Sequence, residues 1–180
     1  MTNQSDNTIS AYSVGSDGNL TPVTGSPFTT GYQPVSLAFD SAAGLLYSGN
    51  QSTNGGSIGI AGTVTWFSID SSGALTPASS APVVIDSGLD TMAIGPAGKF
   101  LYVGTGNPYS GKVAGFSIGS GGASTAIPGS PFKAKRYTGS IAIDPKAKFA
   151  YVSDSRFEEL SSYRILANGA LKPLSTSPFP

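Results

Sequence analysis

The sequence predicts an all-β chain assembled from a repeated unit of four short antiparallel strands, and three observations predict it. The phrase "GKFLYV" (98–103) returns as "GLLYSG" (44–49) and "AKFAYV" (147–152). Twenty-four glycines and thirteen prolines interrupt the 180 residues too often for long helices and suit tight turns. Between those interruptions apolar and polar residues alternate, the pattern of a strand with one face buried.

Two kinds of segment carry the alternation. The first is "SLAFDSAAGLLYSGN" (36–50), "TMAIGPAGKFLYVGTG" (91–106) and "SIAIDPKAKFAYVSD" (140–154), two apolar runs around a turn at Asp40-Ser41, Gly95-Pro96 or Asp144-Pro145. Each reads as a hairpin of strands A and B. The second is "TISAYSVGSDGNLTPV", "TVTWFSIDSSGALTPA", "KVAGFSIGSGGASTAI" and "LSSYRILANGALKPL", read as a hairpin of strands C and D that occurs four times.

The register is regular. Tyr12, Phe67, Phe116 and Tyr163 on strand C are each followed six residues later by Gly18, Gly73, Gly122 or Gly169, as a turn with positive φ requires. The first three aromatics lie 25 residues before Leu37, Met92 and Ile141 on strand A, and these lie 10 before Tyr47, Tyr102 and Tyr151 on strand B. Only the step from that tyrosine to the next strand C aromatic varies, at 20, 14 and 12 residues, so length variation falls in the B–C loops. The expected units are 1–30 (partial), 31–86, 87–135 and 136–180. "PGSPF"-like stretches ending at Phe28, Phe132 and Phe179 read as punctuation.

Four-stranded units repeated in this way are blades of a β-propeller. The chain resembles the YVTN-type, or lactonase-like seven-bladed, propeller family over essentially its whole length. The "GKFLYV" and "AKFAYV" strands, the Asp144-Pro145 turn and the turns at Gly73 and Gly169 carry the resemblance. It implies members about twice as long, with activity in loops and channel residues, and relatives that act on sugar lactones with charged residues including His. This chain has no His, so no catalytic residue carries over. The repeated Tyr, Phe, Val and Leu are read as packing between blades.

Four C–D hairpins and three A–B hairpins make about three and a half blades. Aligning "TNQSDNTISAYSV" with "SDSRFEELSSYRI" places Met1 where a strand B valine stands, so the expectation is an excised fragment, an alternative translation start or a half-ring that completes itself by association. Exposed blade faces favour association, and so does the charge pattern. Residues 1–98 hold six Asp and no Lys or Arg, whereas residues 99–180 hold all ten basic residues and four acidic ones. An acidic start and a basic end favour head-to-tail contact between copies.

Composition also excludes. Without Cys or His there is no disulfide, thiolate nucleophile or imidazole base, and no cofactor or metal site is expected. Zero net charge argues against nucleic acid. No apolar run is long enough for a membrane helix and no signal peptide is visible; the compartment stays open.

Strand direction alternates within a blade, so the B–C loops and D–A connections share one face. The candidates there are the loops 49–62 and 105–111, "SDSRFEEL" (153–160), "TTGYQP" (29–34) and "KAKRYTG" (133–139). Tyr32, Arg136, Tyr137, Asp154, Arg156, Glu158 and Glu159 are the candidate ligand-binding residues. Arg and Tyr opposite three carboxylates fit an anionic sugar, a hard cation or a protein ligand; the same residues also fit a solvated ion-pair cluster. The functional expectation is a non-enzymatic binding scaffold that self-associates. The alternatives are a lactonase-like hydrolase complete only as a ring, with Glu158 or Glu159 as base and Arg136 polarising the carbonyl, and a truncated or engineered segment without a ligand.

Overall fold

The computed structural model of the chain describes residues 1–52, 61–78, 81–85, 88–105 and 111–179. The described residues form strands and two single-turn 3-10 segments, Pro96–Gly98 and Ser120–Gly122. No helix among the described residues is long and apolar enough to cross a membrane.

The strands form successive antiparallel sheets. The first blade comprises β1 (Thr2–Asn3), β2 (Thr8–Ile9), β3 (Tyr12–Val14), β4 (Leu20–Pro22) and β5 (Phe28–Thr29), in two small sheets β1-β2-β5 and β3-β4. The second comprises β6 (Tyr32–Asp40), β7 (Leu45–Ser52), β8 (Gly62–Ile69), β9 (Leu75–Pro77) and β10 (Val83–Ile85). The third comprises β11 (Leu89–Ile94), β12 (Phe100–Thr105), β13 (Lys112–Ile118), β14 (Ser124–Ala126) and β15 (Phe132–Lys133). The fourth comprises β16 (Thr138–Ile143), β17 (Phe149–Asp154), β18 (Leu160–Ile165) and β19 (Leu171–Pro173). In the last three, A pairs with B, B with C and C with D, and the A strand β11 lies against both β6 and β16. These are blades of a β-propeller.

The "SPF" stretches do more than punctuate. Strand D covers only the second half of strand C; the first half is covered by the segment that follows, β5 on β2, β15 on β13, and Phe179 bridging Leu160. Where the two pieces part, a serine hydroxyl accepts the strand C amide: Ser26 from Ala11 (3.0 Å), Ser130 from Gly115 (2.8 Å) and Ser177 from Ser162 (2.9 Å). A buried amide needs such a partner.

Side chains alternate across each sheet and fill the gaps between blades. Ile9 and Phe28 of the first blade meet Leu37, Phe67 and Leu75 of the second. Leu45, Tyr47, Val64 and Trp66 of the second meet Met92, Leu101, Val103 and Phe116 of the third. Tyr102, Val113 and Ile127 of the third meet Ile141, Ala150, Val152, Tyr163 and Leu171 of the fourth. Tyr47, Trp66, Phe67, Tyr102, Phe116 and Tyr163 are therefore core.

Candidate functional site

The connection 133–139 and the loop 153–160 come together on the fourth blade. Thr138 opens β16, pairs with Asp154 at the end of β17, and donates its hydroxyl to the Thr105 carbonyl (3.1 Å), which ties the connection to the third blade. Ser155 donates its amide to the Tyr137 carbonyl (3.0 Å). Gly111 is required at this place: a Cβ there would fall on the Lys135 carbonyl.

Asp154 organises the loop. Its Oδ1 accepts the amides of Arg156 (2.8 Å) and Phe157 (3.1 Å), and its own amide donates to the Glu159 carbonyl (2.9 Å). Its Oδ2 is buried without a hydrogen-bond partner among the described residues. The repeat explains the orphan. Asn50 occupies the same position in the second blade, where its Oδ1 accepts the hydroxyls of Ser48 (3.1 Å) and Thr30 (3.5 Å) and its Nδ2 donates to Thr63 and Thr65. In the fourth blade Ala134 stands for Thr30 and Val152 for Ser48. Neither side chain has a proton to donate.

The cations nearby are engaged. Lys135 Nζ lies 3.0 Å from Glu159 Oε2. The Arg136 guanidinium sits 5.8 Å from the centre of the Phe157 ring, and Arg156 sits 4.2 Å from that of Tyr137. At exposed positions each such contact contributes at most about 1 kcal/mol. Lys135, Arg136, Asp154, Phe157 and Glu159 line a pocket of about 250 Å³. A groove of about 480 Å³ beside it shares Lys135 and Arg136 and adds Lys112 and Lys133. The arrangement offers positive charge at the rim and an acceptor carboxylate within, which suits binding. Among the described residues no three acidic side chains converge as a cation cage.

Six of the seven sequence candidates thus belong to this blade: Arg136, Tyr137, Asp154, Arg156 and Glu159 in the contacts above, with Glu158 exposed on the same loop at φ 55°. Tyr32 is not brought to it; it opens β6, two blades earlier, as the repeat counterpart of Arg136. The positive φ of Tyr137 (37°) recurs at its counterpart Gln33 (54°), so it belongs to the way the chain turns into strand A. Most of loops 49–62 and 105–111 lies outside the described residues.

Asp90 was not singled out by the sequence. It sits where β11 bulges against β12, at the place of Val35 and Gly139 in the other blades. Burial pushes its carboxyl up, and a hydrogen bond from the Gln51 side chain pulls it partly back. Its signal was a lone acid at an otherwise uncharged repeat position.

No protein-family model matches the sequence, and no curated protein matches it. Solved structures do. A candidate 6-phosphogluconolactonase of Bacteroides fragilis aligns with a TM-score of 0.80 and 21% identity, covering 96% of this chain and 49% of that one. A second, from Bacteroides uniformis, aligns at 0.75 and 22%, covering 95% and 51%. The periplasmic gluconolactonase of Pseudomonas aeruginosa aligns at 0.66 and 19%, covering 93% and 52%. The chain has the lactonase-like β-propeller fold. It spans about half the length of the solved structures it matches. At this identity the likeness is one of fold, and function resides in sites rather than folds.

Proposed function

We propose that the chain is a binding scaffold, an arc of propeller blades that associates with further copies through its end faces and presents the loop face of its fourth blade to a ligand, without catalysis of its own. The observation that carries this reading is the state of the two end faces. Tyr12, Val14 and Leu20 on the first blade, and Leu160 and Phe179 on the fourth, are exposed, whereas their counterparts between blades are buried or partly buried. Apolar surface of this kind marks an interaction site. The ligand face is Arg136, Tyr137, Asp154, Arg156, Glu158 and Glu159, and an anionic sugar or an acidic protein segment fits its basic rim.

A second reading, a lactone hydrolase complete only as a ring, is favoured by the names of the similar structures. Against it stands the absence of Cys and His from the sequence, which removes the commonest nucleophile and general base of such chemistry. A panel of sugar lactones and the corresponding acids, titrated and assayed with the associated protein, separates the two. Binding that is weakened in Arg136→Ala, with no turnover, agrees with the scaffold; turnover that disappears in Arg136→Ala replaces it with the hydrolase.

A further inference from the structure

We propose that copies join head to tail, the outer face of the fourth blade of one against the first blade of the next, in a junction of the same design as those inside the chain; this rests on the association proposed above and specifies its partner surfaces.

The internal junctions share a construction. The C–D turn of each following blade, with its glycine at φ near 85°, lies on the blade before it. A Cβ on Gly73 would meet Val23, one on Gly122 would meet Trp66 and Leu45, and one on Gly169 would meet Phe100 and Ile127. The Gly169 carbonyl also accepts the Tyr102 hydroxyl at 2.7 Å, and the Gly121 carbonyl accepts Trp66 Nε1 at 3.2 Å. The same turn of the first blade carries Gly18 at φ 81°, with nothing among the described residues within 4 Å of its Cβ position. Phe67, Phe116 and Tyr163 are 1%, 8% and 3% exposed, but their counterpart Tyr12 is 41% exposed. The first blade therefore presents the receiving half of a junction.

The fourth blade presents the other half. Val64 and Val113 are fully buried where they meet the next blade, whereas their counterpart Leu160 is 37% exposed. Tyr151 takes the place of Tyr102, Phe149 that of Phe100, and Leu174 that of Ile127. A first blade placed here by the repeat brings the Gly18 carbonyl to the Tyr151 hydroxyl and the Gly15–Asn19 turn onto Phe149. Arg164 lies 5.8 Å from the centre of the Phe149 ring and pairs across the sheet with Lys172; Asp17 on the arriving turn carries the opposite charge.

The charges select this pairing over two-fold alternatives. First blade against first blade would face the Asp17 turn with itself, and fourth against fourth would face Arg164 and Lys172 with themselves. Head to tail sets the acidic half against the basic half, and complementary potentials fix register.

The test uses variants that each spoil one face. Tyr12→Glu blocks only the receiving half and Leu160→Glu only the other, with Val14→Glu and Phe179→Glu as a second pair should either of the first fail to fold. In light scattering each variant alone should show the mass of one chain. An equimolar mixture should show the mass of two, because the intact fourth blade of one variant meets the intact first blade of the other. Unmodified protein that associates while the mixture stays at one chain, or single variants that associate unimpaired, would overturn the head-to-tail junction and leave association standing. Unmodified protein at the mass of one chain throughout would overturn both.

Discussion

Tyr47 and Tyr102 occupy the same repeat position, both fully buried, yet their hydroxyls differ. Tyr102 donates to the Gly169 carbonyl, while the Tyr47 hydroxyl has no partner among the described residues and burial, with a smaller contribution from Asp40, pushes its pKa up to about 12. In the next blade the Gly122 carbonyl, counterpart of the Gly169 carbonyl, accepts the Ser124 hydroxyl (3.1 Å), and the Gly121 carbonyl accepts Trp66 Nε1 (3.2 Å). A buried hydroxyl without a partner costs desolvation and returns nothing, whereas a satisfied one contributes about 1 kcal/mol. Tyr47→Phe is therefore expected to leave stability unchanged or raise it by up to about 1 kcal/mol, and Tyr102→Phe to lower it by about 1 kcal/mol. Urea titration checks both, provided the slope m is unchanged. A loss in Tyr47→Phe as large as that in Tyr102→Phe would contradict the assignment.

At the scale of the element, the split outer strand is the feature most open to perturbation. Ser130→Ala removes the acceptor of the Gly115 amide on β13, and an unpaired buried amide costs about 1–3 kcal/mol. Ser117→Ala, which removes only an exposed hydroxyl donating to the Thr125 carbonyl, is expected to stay within about 0.5 kcal/mol. Hydrogen exchange at Gly115 together with denaturant midpoints reads the difference; equal effects would remove Ser130 from its role. The A–B hairpins and the C–D turns were legible in the sequence because their causes are local, a turn glycine at positive φ and strict alternation around it. The second outer segment was not, because it depends on serines 15 residues from the amides they satisfy. The site divides in the same way. Arg136 and Asp154 were brought together by topology alone, but the orphaned Asp154 Oδ2 emerges only when Ala134 and Val152 are compared with Thr30 and Ser48.

At the scale of the molecule, the proposed association rests on an arc of blades whose two exposed faces are unlike. Head-to-tail contact closes into a ring if the rotation per copy divides the circle, and otherwise extends into a filament. The ends also differ in charge, since all ten basic residues lie after residue 98 and that first stretch holds six of the ten acids. Salt should therefore weaken the contact, though burial of Tyr12 and Leu160 should keep part of it, because screening acts on exposed charges and hardly on apolar area. The measurement that bears most directly on this account is the mass of the unmodified chain in solution by light scattering, at low and high salt. A discrete multiple of the 18.1 kDa chain whose dissociation constant rises with salt is the predicted result. A single-chain mass at both salt concentrations, up to the solubility limit, would contradict it.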